Sequence, residues 1–226
     1  MLFNILYNDL VQNSNLDMIK YNGQTIATTE ALESAQWALA NRNRAESYYI
    51  RAIFTVEAGG KSGFLKEDEN IPVTLEEGHI FYKYLKQKGK NADDIASRYP
   101  SICYPKWTKI FYKTGLKEYD RYLLAKSIDE ECAMMATSWG MGQVMGFNYK
   151  AVGYPDVKSM VDSMYVSERD QLLAMLRFIK SNNKMYTALK EEDWETFAKL
   201  YNGSGYKENK YDEKLKKAFE SCIKST

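Results

Sequence analysis

A run of apolar residues at helical spacing leads to a single carboxylate, Glu57, and stops at two glycines. The apolar positions are Ala45, Tyr49, Ala52, Ile53 and Val56. These positions fall on one side of a helix, which is typical of a helix that packs against a core. Gly59 and Gly60 supply the positive φ angles that end helices. The stretch therefore predicts an apolar helix that carries Glu57 at its C-terminus, beside a glycine turn.

The predicted position of Glu57 is unfavourable for a charged carboxylate. A helix C-terminus carries partial negative charge, and the neighbours Phe54 and Val56 are apolar, so both effects favour the protonated carboxyl group. A carboxyl group that keeps its proton near neutral pH is what a general acid requires. The alternative is a surface glutamate in the last turn of a helix, and this stretch alone does not decide between the two.

Length and composition indicate an ordinary globular chain. Its 226 residues are 45% hydrophobic and 27% charged, which is enough for one domain with a full core. We expect residues 29–226 to form this domain, which could divide into two lobes, after an N-terminal extension or short element over residues 1–28. The net charge of +1 argues against a nucleic-acid partner. No run approaches the roughly 20 apolar residues of a membrane helix, so membrane insertion is not expected either.

The N-terminal sequence and the cysteines indicate synthesis in a reducing compartment. The first ten residues lack a positively charged region, and asparagines interrupt their apolar run, so no signal peptide is predicted. The three cysteines form no CxxC pair, and Cys132 and Cys222 lie among apolar helical positions, which is typical of buried, reduced thiols. We therefore expect synthesis in a reducing cytoplasm.

Most of the remaining chain carries helical patterns. We predict helices over residues 28–42, 75–88, 117–137 with a break near Ile128, 168–179 with a capping box at Ser167, 194–201 and 211–222. Residues 61–74 are read as a loop or small β-hairpin, residues 91–115 as a long connection, and residues 138–146 as too rich in glycine for a regular element. The expected fold class is mainly α.

Three glycine-containing breaks present polar groups where helices end. They are Glu57–Gly60, Ser138–Gln143 and Tyr201–Gly203. Each is weak alone, because Asn-Gly is also an ordinary turn. Their order, a glutamate before small residues, then Ser-x-Gly-x-x-Gln, then Tyr-Asn-Gly, resembles the signature of goose-type lysozymes and lytic transglycosylases.

A closer resemblance extends from about Ala45 to Phe219. The sequence resembles the N-acetylmuramidase domain family found in phage endolysins and related bacterial proteins. The residues that carry it are Val56–Gly60 with Gly63–Leu65, Glu77–Phe81, Ser138–Gly140, Gln143–Tyr149, Gly153–Tyr154, Ser167–Glu168, Asp193–Trp194, Phe197–Ala198 and Tyr201–Gly203. The resemblance implies a lysozyme-like helical fold with a catalytic cleft, Glu57 as the catalytic acid, and hydrolysis of the glycan strand of peptidoglycan.

The second carboxylate of the reaction is less well defined. Relatives often place an Asp-Gly pair after the position of Leu65, whereas this chain has a longer acidic run without glycine. Within it Glu67, Asp68 and Glu69 are alternatives, and we take the central residue, Asp68, as the base or stabiliser of the sugar cation. Glu77, in the matched Glu-x-His element, is the alternative outside the loop. A solvated acidic run is the non-catalytic interpretation.

The resemblance also implies a set of substrate-binding residues. They are Ser138, Trp139, Gly140, Gln143, Tyr149, Tyr201 and Asn202. Polar side chains among them would hydrogen-bond the N-acetyl and hydroxyl groups, and Trp139 or Tyr149 could stack on sugar faces. Equally, Trp139 could belong to the core, and Gln143 and Asn202 could merely satisfy backbone groups.

No metal or cofactor is expected. His79 is the only histidine, and no cysteine is spaced to ligate with it, so it is read as a structural hydrogen-bonding residue. GGKSG lacks the spacing of a phosphate-binding loop.

Three functions are consistent with the sequence, and we rank an N-acetylmuramidase first. A lytic transglycosylase, which needs one glutamate and leaves a 1,6-anhydro end, comes second. A non-catalytic glycan-binding or virion protein comes third. The expected partner is the glycan strand of peptidoglycan, and the chain is expected to act as a monomer. It would reach the wall as a phage endolysin after release from the cytoplasm, or be carried on a phage particle.

Overall fold

The structure is a computed structural model that describes residues 49, 52–53, 55–57 and 62–224. The predicted N-terminal element over residues 1–28 and the predicted helix over residues 28–42 lie outside the described residues.

The described part of the chain is mainly helical, which confirms the predicted fold class. Its α-helices are α1 (Gly78–Gln87), α2 (Ala92–Arg98), α3 (Leu116–Ile128), α4 (Glu130–Ala136), α5 (Val157–Met164), α6 (Glu168–Ser181), α7 (Asn183–Lys190), α8 (Trp194–Asn202) and α9 (Tyr211–Lys224). Short 3-10 helices cover Gly146–Asn148 and Gly203–Lys207. The described residues before Ser62, which end at Glu57, are also helical.

Local sequence signals explain several of these boundaries. The predicted break near Ile128 is confirmed, because the Asp129 side chain accepts a hydrogen bond from the backbone N–H of Cys132 and caps α4. The predicted capping box is also confirmed: the Ser167 hydroxyl accepts from the N–H of Asp170 and donates to its carboxylate. At the end of α8, Gly203 has a φ of 74° and terminates the helix.

One helix lies where a connection was predicted. Residues 92–98 form α2 because Asn91 caps it, its side chain accepting from the N–H of Asp94 at 3.2 Å. Asp93 and Asp94 then place negative charge in the first turn, where the helix dipole favours it. The prolines that suggested a connection, Pro100 and Pro105, follow the helix and do not interrupt it.

A small antiparallel sheet joins distant parts of the chain. Strand β1 (Thr74–Glu76) pairs with β2 (Thr137–Trp139), which pairs with β3 (Val144–Met145). The prediction that residues 138–146 form no regular element was therefore wrong, since β2 and β3 make a hairpin. Its turn depends on Gly140 at φ 67° and Gln143 at φ 45°, so the glycine content reflects turn geometry.

Residues 62–73, which precede β1, form a hairpin-like loop. The backbone N–H of Leu65 donates to Ile71 and that of Val73 donates to Gly63, both at 2.8 Å. At its base, the buried Glu168 carboxylate accepts from the Ser62 hydroxyl at 2.6 Å and from the Gly63 N–H at 2.8 Å. The small hairpin expected after Glu57 is therefore present, and α6 holds its base.

The core fixes the helix that carries Glu57. Ala52 and Ile53 are completely buried, and the ring of Tyr49 stacks on that of Phe219 with centroids 4.6 Å apart. This helix therefore packs against α9, and its C-terminal end projects towards a cleft.

Candidate active site

Glu57 lines a cleft of about 1270 Å³. Its carboxyl group is partly accessible from the cleft but otherwise surrounded by protein. The hydroxyl of Tyr211, at the start of α9, donates a hydrogen bond to Glu57 Oε1. A residue near the beginning of the described chain is therefore oriented by the last helix.

Burial raises the pKa of Glu57 to about 8, and the hydrogen bond from Tyr211 opposes this shift without cancelling it. At neutral pH most Glu57 carboxyl groups therefore carry a proton. Sequence reasoning expected this direction from the helix dipole and the apolar neighbours, whereas in the structure the main cause is removal from water.

Tyr201 forms the next layer around this carboxyl group. Its ring is nearly parallel to that of Tyr211, with centroids 6.5 Å apart and an interplanar angle of 13°. Its hydroxyl donates to the backbone carbonyl of Gly142 at 2.6 Å. Burial, and then the nearby Glu57 charge, raise the pKa of both tyrosines. Both hydroxyls therefore stay neutral donors, and Tyr201 links the Tyr-Asn-Gly motif to the β2–β3 turn.

Glu77 is a second carboxylate in the same cleft. It precedes α1 at the end of β1, and its Oε2 accepts from the Tyr112 hydroxyl at 2.6 Å. His79 Nδ1 lies 3.3 Å from the same oxygen. Among the described residues that line the cleft, the carboxylates are Glu57, Glu77 and Glu208.

A buried ion cluster holds the strand that delivers Glu77. Arg121 Nη2 donates to Glu76 Oε2 at 2.7 Å and Nη1 donates to the Glu76 carbonyl at 3.2 Å. The second acid of the cluster, Glu118, accepts from Arg121 and from the backbone N–H of Glu76. Burial keeps the pKa of Glu76 well above its usual range, and the Arg121 charge opposes this shift. These contacts fix the backbone directly before Glu77.

The acidic loop lies outside the cleft. Asp68 accepts hydrogen bonds from the backbone N–H and side-chain amide of Asn70, at 2.9 and 3.1 Å, and so closes a local turn. Glu67 and Glu69 are exposed, and the Glu67 carboxylate lies against Gly115. The structure does not bring Asp68 together with Glu57, because the Asp68 carboxylate is hydrogen-bonded to Asn70 within the loop. Of the alternatives raised from sequence, Glu77 lines the cleft.

Gln143 and Ser138 serve the β2–β3 turn. The Gln143 amide donates to the carbonyls of Gly140 and Val73, at 2.8 and 3.3 Å. Its Oε1 accepts from the Ser138 hydroxyl at 2.9 Å. Neither side chain lines the cleft, and both satisfy polar groups within the turn.

Trp139 and Gly140 belong to the core behind that turn. Trp139 is 1% exposed, and its indole N–H donates to the Met134 carbonyl at 3.2 Å. A Cβ on Gly140 would come within 2.7 Å of the buried Gln171 side chain. The structure therefore places Trp139 away from any sugar face, and Gly140 is required for close packing as well as for its positive φ.

Tyr149, Tyr201 and Asn202 complete the predicted binding set. Tyr149 lines a separate pocket of about 400 Å³, together with Lys88 and Glu131. Tyr201 and Asn202 line the cleft with Glu57, and Asn202 is exposed.

Sequence reasoning missed several aromatic residues of the cleft. Trp107 is 45% exposed and Phe147 is 37% exposed, and both line the cleft with Tyr112. Exposed aromatic rings in a concave site suit the flat faces of sugars. The available signal was the group of aromatic residues within the connection over residues 91–115, where Trp107 and Tyr112 lie.

No helix within the described ranges is long and apolar enough to span a membrane. Across the same residues, histidine, cysteine and acidic side chains form no group that could hold a metal ion.

The comparisons with known proteins agree with this architecture. A model of the N-acetylmuramidase family matches residues 46–222. The chain belongs to this family. The crystal structure of a Burkholderia AP3 phage endolysin matches with a TM-score of 0.68 and 42% sequence identity, over 84% of this chain and 69% of that one. A comparison with curated proteins gave no match.

These matches confirm the enzyme class expected from the sequence. The muramidase has a mainly helical, lysozyme-like fold and is a glycosidase that degrades peptidoglycan.

Proposed function

We propose that the chain hydrolyses the bond between N-acetylmuramic acid and N-acetylglucosamine, with Glu57 as general acid and Glu77 as the second carboxylate. The observation that carries this proposal is that the two glutamates line one cleft and that each accepts a hydrogen bond from a tyrosine. They come from different elements, the helix before Ser62 and the end of β1.

The two glutamates have complementary roles in this scheme. Glycoside hydrolysis needs a proton on the leaving oxygen and a carboxylate for the oxocarbenium-like sugar. Glu57, with a pKa of about 8, holds its proton at neutral pH and donates it to the leaving sugar. Glu77, oriented by Tyr112, stabilises the sugar cation or activates water on the other side of the bond.

The remaining cleft residues hold the glycan. Asn202 offers an exposed amide to N-acetyl and hydroxyl groups, and Trp107 offers a ring face to a sugar. Tyr201 acts indirectly, since its hydroxyl is bonded to Gly142 and its ring supports Tyr211.

Mass spectrometry of digested peptidoglycan tests the reaction. Hydrolysis gives reducing ends at N-acetylmuramic acid. Anhydro ends would identify a lytic transglycosylase, and reducing N-acetylglucosamine ends would identify cleavage of the other bond. Glu57→Gln should lower the rate at least about a hundredfold while the circular dichroism spectrum is unchanged. A variant that clears cell walls at nearly the normal rate would remove Glu57 from the mechanism.

We infer that the chain acts as a monomer and as a phage endolysin that reaches the wall after release from the cytoplasm. Support for the endolysin role comes from the similarity to a phage endolysin. Light scattering of the purified protein tests the monomer. Lysis of bacteria that express the chain, with and without a co-expressed holin, tests the route.

A further inference from the structure

The loop over residues 104–113, here called the bridging loop, belongs to the side of the cleft that carries Glu77. At one end the Tyr104 N–H donates to the Gly78 carbonyl at 3.3 Å. At the other end the Tyr112 hydroxyl donates to Glu77 at 2.6 Å, and the Lys113 N–H donates to Glu118 at 2.7 Å. The loop is therefore held at both ends, whereas its middle, around Lys109, is exposed.

The tip of the bridging loop contacts the opposite side of the cleft. Lys109 Nζ donates to Asn209 Oδ1 at 2.9 Å and lies 3.7 Å from Glu208 Oε2. Asn209 lies two residues before Tyr211, the hydrogen-bond partner of Glu57. Lys109, Glu208 and Asn209 all line the cleft, so their contact joins its two walls at the rim.

This contact is weak by its chemistry. The side chains of Lys109 and Glu208 are 43% and 58% exposed, and exposed pairs of this kind shift an equilibrium by no more than about fivefold. An open arrangement, in which Lys109 is separated from Glu208 and Asn209, should therefore be populated at room temperature. Salt should increase its population.

The same contact lies beside an aromatic surface. Lys109 Nζ lies 5.2 Å from the centre of the Trp107 ring, and this half-exposed ring lines the cleft. A glycan that stacks on Trp107 therefore passes directly beside Lys109.

We propose that Lys109 is a latch that determines the length of glycan the cleft accepts. This inference rests on the proposed function. With the latch closed onto Asn209 and Glu208, a glycan enters only from an end. With the latch open, an internal part of a long strand enters from the side. Intact peptidoglycan is a network of long strands with few free ends, so its cleavage requires the open state, whereas short soluble glycans do not.

Locking the latch closed tests this proposal. In a Cys222→Ser background, Lys109→Cys and Asn209→Cys are joined by a short bismaleimide, and the intramolecular link is verified by mass. The remaining cysteines, Cys103 and Cys132, are buried and do not compete. The controls are the double variant before treatment and Lys109→Cys alone after treatment with the same reagent.

The cross-linked enzyme should clear intact sacculi about tenfold more slowly than both controls. Its rate on short soluble glycan fragments should stay within about twofold of theirs. Equal loss on both substrates, unchanged rates on both, or failure to form the intramolecular link would overturn the latch. If the parent enzyme, without substitutions, cleaved neither substrate, the proposed function would be rejected, and the latch with it.

A charge reversal supplies a second test without chemical modification. Lys109→Glu places like charges beside Glu208 and should raise the ratio of sacculus to fragment cleavage about two- to threefold at low salt. Lys106→Glu makes the same change of charge in the same loop, on an exposed side chain that does not line the cleft. It should leave the ratio unchanged. An equal shift in both variants would show a long-range effect of net charge and reject the latch.

Discussion

The hydroxyl of Tyr211 donates a hydrogen bond to the carboxyl group of Glu57, across 154 positions of the sequence. This bond favours the charged carboxylate, whereas burial favours the proton, and burial dominates. The pKa of Glu57 is therefore set by two opposing contributions that can be altered separately.

Removing the hydroxyl with Tyr211→Phe should raise the pKa of Glu57 further. The alkaline limb of the kcat/KM profile, which we expect near pH 8 in the parent enzyme, should move to higher pH because the acid keeps its proton longer. The maximal rate should fall about tenfold, since the carboxyl group loses its orientation. Tyr82→Phe, which removes a hydroxyl bonded to Asp93 on the surface, is the matched control. An alkaline limb that stays in place would show that Glu57 does not determine it.

Glu57 should also make the stability of the fold depend on pH. Its pKa is about 8 when folded and near 4.5 when unfolded, so the folded state binds more protons between these values. Stability should therefore fall as the pH rises from about 4.5 to 8 and then level off. Glu57→Gln should remove the contribution of Glu57 to this slope, leaving that of the buried Glu76, and should melt higher than the parent at pH 8. If the melting temperatures of the two proteins changed with pH in the same way across this range, the raised pKa of Glu57 would be contradicted.

Glu77→Gln and Asp68→Asn should separate the two locations proposed for the second carboxylate. We expect Glu77→Gln to reduce wall clearing at least about a hundredfold, because the sugar cation loses its carboxylate. Asp68→Asn should stay within about twofold, since Asp68 closes a turn with Asn70 outside the cleft. Turbidity assays at equal folded concentration make the comparison. A severe loss in Asp68→Asn with a mild one in Glu77→Gln would return the role to the loop.

Gln143→Ala and Asn202→Ala should behave differently, although the sequence suggested one role for both. Gln143→Ala removes the side-chain amide bonds to the carbonyls of Gly140 and Val73, although both carbonyls keep a backbone N–H donor, and should cost about 1–2 kcal/mol of stability. Asn202→Ala should leave the melting temperature within about a degree, because the side chain is exposed, and should reduce activity. Calorimetry combined with initial rates distinguishes them. A stable but inactive Gln143→Ala would assign that amide to the substrate.

Features that depend on neighbours in sequence were predictable. The capping box at Ser167 and the break at Asp129 follow from residues within one helical turn, and both are present. The helix over residues 92–98 was missed because the prolines near it were weighted above the Asn91 cap.

Features that depend on packing were not predictable in the same way. Asp68 and Glu77 are both acids near turns, and only the chain path across β1 brings Glu77 to the cleft. Similarly, the local sequence around Trp139 is compatible both with a core residue and with a residue that stacks on a sugar. Its hydrogen bond to Met134 and its edge-on contact with Tyr122, at 4.8 Å, decide for the core.

The close approach of Gly140 to Gln171 has a consequence for how such chains are recognised. A side chain at position 140 would displace Gln171, whose Oε1 accepts from the Met141 N–H at 2.9 Å, so the glycine is constrained whether or not a sugar is ever bound. A homologue that had lost the glutamates at positions 57 and 77 could keep the Ser-x-Gly-x-x-Gln motif because its core packing requires it. Genome surveys that take this motif as a sign of wall-degrading activity would then include inactive homologues. Positions 57 and 77 are therefore the first to inspect.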